Sequence, residues 1–116
     1  HVRAVAQVAL KSAEILASSY RDYYTINMDY LISGVLLHDV GKFLEFQKDR
    51  KKISKSRAGK LLRHPISGAG LAMKHGLPDE VVHIIAVHSQ EGEGGYRSPE
   101  AVIVHHADFM NFESLK

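Results

Sequence analysis

Five stretches of this chain place apolar residues three or four positions apart, and none alternates apolar with polar residues over the length of a strand. That period is the stripe of an amphipathic helix, so the pattern predicts an all-α domain built by packing helix on helix. Val2, Val5, Ala6, Ala9, Ala13 and Leu16 predict a first helix over residues 1–19. Met28, Leu31, Ile32, Val35 and Leu36 mark a second, which Gly41 helps to end and whose last turn carries His38 and Asp39. Pro65 is placed to be the first residue of a third helix that Gly76 stops, and Pro78 opens a fourth through His88 in the same manner. Ser98, Pro99 and Glu100 read as the N-cap, first-turn proline and dipole-favoured acid of a fifth helix running through Asp108. The expectation is a single domain over 1–116, a bundle of about five helices, and a part of a longer chain, because it opens on His1 and FESLK continues a helical pattern.

The charge is concentrated rather than spread. Residues 47–63 carry eight Lys or Arg against one Asp, a local +7 inside a chain of net charge +2, which leaves −5 elsewhere. The segment has no clear period and reads as a loop or a frayed short helix. No run of apolar residues is long enough to span a bilayer, so no membrane contact is expected and the cytoplasm is the expected compartment. The chain has no cysteine, which excludes disulfides and thiolate metal sites and leaves imidazole and carboxylate as the ligands for any bound cation.

Ligand-type residues occupy the apolar faces. His88 follows Ile84 and Ile85, Asp108 shares a face with Ala101, Val104 and Phe112, and His1 stands one turn before Val5. A buried polar group without a partner costs on the order of 2–7 kcal/mol, so their convergence calls either for mutual hydrogen bonds or for a cation. A single histidine on an apolar face is satisfied as well by a hydrogen bond as by a metal. The run VLLHDVGK is harder to satisfy that way, since it puts an imidazole and a carboxylate side by side at the inner end of a helix, with Lys42 nearby as a cation. Imidazole nitrogen with carboxylate oxygen suits Mn, Fe, Ni, Co or Zn, and a carboxylate such as Asp39 can bridge two ions.

The ordered set His1, His38-Asp39-Val40-Gly41-Lys42, His64, His88 and Asp108 resembles the HD superfamily of metal-dependent phosphohydrolases over essentially the whole chain. The resemblance implies a central metal site in which His1, His38, Asp39 and Asp108 bind one ion, while His64 and His88, with Asp39 bridging, hold a second. It departs from the HD-GYP cyclic-dinucleotide phosphodiesterases, because Ser89 follows His88 and the Gly-Tyr-Pro signature is absent. AGKLLRHPISGA and SPEAVIVHHAD are closer to the HD domains of bacterial ribonucleases.

The function that follows is hydrolysis of a phosphate ester or phosphodiester of a nucleotide, oligonucleotide or single-stranded RNA. It needs divalent ions, two by the ligand count and Mg among the options, and a metal-activated water. Asp39 and Lys42 are the expected catalytic residues, Lys42 neutralising charge on the phosphate. The basic segment is expected to draw in the anionic substrate through Lys55, Arg57, Lys60 and Arg63. His105, one turn before Asp108, is a candidate substrate contact or a donor behind the ligands, while His106 points elsewhere and His75 and His83 are surface residues. Two other classes remain compatible with the same ligands: a di-iron oxygenase on a small substrate, and a metal-stabilised binding or regulatory module.

Overall fold

Each of the five apolar stripes is a helix in the computed structural model, which describes all 116 residues. They are α1 (Val2–Ser19), α2 (Met28–Leu37), α5 (His64–Lys74), α6 (Asp79–Val87) and α7 (Pro99–Ser114). Two short helices, α3 (Lys42–Glu45) and α4 (Arg57–Leu61), flank a hairpin of β1 (Phe46–Asp49) and β2 (Lys52–Lys55). No helix is long and apolar enough to cross a membrane.

Small residues let α1 approach its neighbours closely. Val5, Ala9 and Ala13 are fully buried, and with Leu31 and Val35 of α2, Ile84 of α6, and Ala101 and Val104 of α7 they form the main core. The starts of α2 and α7 are fastened together. Asn27 caps α2 by accepting the Tyr30 N–H at 3.1 Å, Ser98 caps α7 by accepting the Ala101 N–H at 3.1 Å, and buried Glu100 accepts the Asn27 N–H at 2.9 Å. A smaller core of Ala72, Val81 and Ile85 joins α5 to α6. The stop at Gly76 forms as expected: its φ is +73°, its N–H reaches the Met73 carbonyl at 3.0 Å, and the Leu77 N–H reaches Ala72 at 3.1 Å.

Four expectations are corrected. The first part of the basic segment is not a loop but a hairpin, in register Phe46↔Lys55 through Asp49↔Lys52, turned by Arg50 at a φ of +58°, and only its later part, Arg57–Leu61, is a short helix. Every residue of both strands is exposed, so neither face imposes the alternation that would reveal a strand in the sequence. Second, α2 ends at Leu37, and His38 and Asp39 lie just beyond it in a tight turn. Gly41 there has an ordinary φ of −63°. It is glycine for proximity: a Cβ would lie 2.0 Å from the His64 carbonyl oxygen and 2.7 Å from the Gly68 nitrogen. Third, Phe112 is not a core residue but 54% exposed. Fourth, His83 is half-buried, stacked on Tyr96 and accepting the Ser98 N–H at 3.1 Å, because it supports the entry to α7; His75 and His106 are exposed.

Candidate metal centre

The six residues expected to bind metal converge at one end of the bundle, in two groups that share Asp39. His1 comes from the start of α1, His38 and Asp39 from the turn after α2, and Asp108 from α7. His1 Nε2 lies 2.8 Å from Asp108 Oδ1 and 3.9 Å from Asp39 Oδ2, and His38 Nε2 lies 3.5 Å and 3.4 Å from the same two oxygens. The other face of Asp39 meets the second group. Its Oδ1 lies 3.4 Å from Nε2 of His64, at the start of α5, and 3.6 Å from Nε2 of His88, just past the end of α6. One carboxylate thus offers a separate oxygen to each set.

The imidazoles are held so that Nε2 points inward. His38 Nδ1–H donates to the Val35 carbonyl at 2.6 Å and His88 Nδ1–H to Ile85 at 2.7 Å, each using a carbonyl of its own helix. His64 Nδ1–H instead donates to Glu45 Oε2 at 2.5 Å. With Nδ1 carrying the proton, Nε2 is left as a lone pair. His38 Nε2 is fully buried with no hydrogen-bond partner, and the Nε2 atoms of His64 and His88 face each other at 3.3 Å. Two lone pairs at that distance repel, and an orphaned buried acceptor is costly; a cation satisfies all three atoms. The donor set therefore fits divalent metal.

The electrostatics lean the same way. Burial acts to raise the Asp39 pKa, but the neighbouring His88, His38 and Lys42 overcome it and hold the carboxyl well below the usual range. Burial favours neutral His38, yet Asp108 and Asp39 outweigh it and raise its pKa: the first group attracts positive charge. At His64 burial prevails over Glu45, with His88 adding to it, and the ring is held neutral, as a ligand must be.

Glu45 is the residue that sequence reasoning missed. It is 2% exposed at the end of α3, takes both the ring N–H and the backbone N–H of His64, and keeps a depressed pKa because those bonds outweigh its burial. The available signal was an acid set between Leu44 and Phe46, three positions past Lys42, in an otherwise basic stretch.

The expected substrate contacts divide. Lys42 lines the cleft in front of Asp39, with Nζ 3.3 Å from Asp39 Oδ2. Arg63 lines it too, gripping Glu91 through two contacts of 2.9 Å. Lys55 lies 3.9 Å from Glu45 Oε1 outside that lining, and Arg57 and Lys60, exposed on α4, do not reach the cleft. His105 lies outside the cleft lining: its Nδ1–H donates to the His88 carbonyl at 2.8 Å and its Nε2 lies 3.5 Å from Glu93.

The chain is 32% identical over 111 residues to a dihydroneopterin 2',3'-cyclic phosphate phosphodiesterase of Methanocaldococcus jannaschii, an alignment covering 93% of this chain and 43% of that protein. It is 34% identical over 110 residues to the 3'-5' exoribonuclease YhaM of Listeria welshimeri, covering 83% of this chain and 34% of the relative. The chain thus spans less than half the length of either relative. No solved structure matched significantly. The HD domain profile matches residues 1–110, from the first of the converging histidines to just past the last carboxylate, and the chain belongs to the HD domain family.

Proposed function

We propose that this domain hydrolyses a phosphate ester or phosphodiester of a nucleotide, oligonucleotide or RNA, with His1, His38, Asp39 and Asp108 holding one divalent cation and Asp39, His64 and His88 a second. The observation that carries this reading is Asp39, which turns one oxygen to each histidine set with a lysine ammonium 3.3 Å away. Bound divalent cations supply an activated water and counter-charge for phosphoryl oxygens. The chain's own groups do the rest. Asp39 stays ionised because His88, His38 and Lys42 surround it. Val35, Ile85 and Glu45 fix three imidazoles with Nε2 inward, so no reorientation is needed when a cation binds. Lys42 stands at the cleft wall to neutralise charge on the phosphate, and Arg63, at the rim, is the second cation within reach of an anion.

The relatives support the substrate class, one being a phosphodiesterase for a cyclic phosphate and the other an exoribonuclease. The test is metal analysis of the purified domain, followed by a panel of nucleotides, cyclic dinucleotides and short RNAs with Mn, Mg, Fe, Co, Ni or Zn. Metal-dependent phosphate-ester cleavage that disappears in Asp39→Ala is expected. Wild-type turnover in a folded Asp39→Ala protein would overturn the assignment, as would the failure of every metal to support cleavage.

A further inference from the structure

The cleft in front of Asp39 has three apolar residues in its lining, and all three are phenylalanines: Phe46, Phe109 and Phe112. The remainder is charged or polar. Phe109 is seated, its ring centroid 4.7 Å from that of His105. Phe112 and Phe46 are not, being 54% and 39% exposed. Phe112 stands four positions after Asp108 on α7, which puts it on the acid's side of the helix one turn along, while Phe46 reaches the cleft from the hairpin, directly after Glu45. The aromatic groups thus come from two independent elements.

A single exposed phenylalanine needs no explanation. Three that make up the whole apolar lining of a cleft containing a metal-ligand set and two cations do, because planar rings beside a phosphate site are what a base-bearing ligand meets. Aromatic faces stack on any base, a contact worth about 1–3 kcal/mol for each base. Lys42 and Arg63 supply the charge for the phosphate in the same cleft.

We propose that Phe109 and Phe112, with Phe46 on the hairpin, form a stacking subsite for the heteroaromatic base of the substrate, so that the base, and not only the phosphate, is bound in this cleft. Catalysis at Asp39 rests on the reading above; the subsite is tested by binding alone. Calorimetric titration with Mn present compares AMP with ribose 5-phosphate, which carries the same phosphate and sugar without the base. AMP is expected to bind roughly 5- to 150-fold more tightly, the range of one base–aromatic stack. Phe112→Leu, a change at a half-exposed position, is expected to remove much of that difference and leave ribose 5-phosphate within about twofold of its original affinity, with Phe112→Trp restoring the preference. Phe46→Leu tests the hairpin wall separately. Equal affinity of the wild-type domain for the two ligands overturns the proposal, as does equal loss for both ligands in Phe112→Leu or no loss in either leucine variant. A domain that prefers AMP yet cleaves no ester retains the subsite and refutes the hydrolase reading; one that cleaves esters but ignores the base does the reverse.

Discussion

The two halves of the candidate metal centre are built by different means. His1, His38 and Asp108 extend from α1, α2 and α7, whose faces form the main core, and His38 is oriented by a carbonyl of its own helix. His64 and His88 come from α5 and α6, joined through a core of three buried residues, and His64 is oriented only by Glu45 from outside those helices. The first half follows from packing the bundle. In the second, His88 is likewise held by a backbone carbonyl, that of Ile85, but His64 depends on one carboxylate and one glycine contact and is therefore the member that can be lost alone.

Asp39→Ala tests the shared member and carries the largest effect. Metal content is expected to fall at both positions and turnover to vanish; retention of one ion at full occupancy would show that Asp39 does not join the two halves.

Gly41→Ala follows. Its methyl would meet the backbone of His64, and crowding of that kind costs about 1–3 kcal/mol or more. Urea unfolding is expected to report that loss, with metal titration showing the second ion weakened before the first. Gly70→Ala on α5, whose Cβ meets nothing within 4 Å, is the control and is expected to gain up to about 1 kcal/mol. Equal stability of the two variants would remove the close-approach argument.

Glu45→Gln keeps shape and removes charge. Changes in groups that orient metal-binding histidines cost about 10–100-fold in affinity, so one of two ions is expected to weaken by that factor while the other is unaltered. Equal weakening of both would dissolve the distinction between the halves.

The smallest effect lies outside the centre, at His83. Burial, then the charge of Arg97, lowers its pKa against an opposing pull from Glu100, so the folded protein favours the neutral ring that accepts the Ser98 N–H. The unfolded chain takes up that proton more readily, so this contribution is complete above the ordinary value of about 6.5 and lost as pH falls below it. His83→Gln is expected to flatten the stability profile between about pH 7 and pH 5; an unchanged slope would assign that loss to other groups.

The helices were legible because each buries one face, and burial writes its period into the sequence; the proline starts and the Gly76 stop were legible because those residues restrict or free the backbone locally. His1, His88 and Asp108 were legible as polar residues on apolar stripes and His38-Asp39 as an adjacent pair after an apolar run, whereas His64 was named only through the family resemblance. The hairpin was not, since a strand with both faces in water leaves no alternation. Nor was the true reason for Gly41, because a close approach to residue 64 is invisible to any local reading.

The sequence by itself determined the class of fold, the order of the helices and the residue types able to hold a cation, all of which depend on side-chain chemistry and short spacing. Only the tertiary structure decided that the two oxygens of Asp39 face different histidine sets, that Glu45 accepts the His64 ring N–H, that His105 donates to the His88 carbonyl, and that most of the basic segment lies outside the cleft lining. Those are facts of distance between residues far apart in the chain, and packing sets such distances.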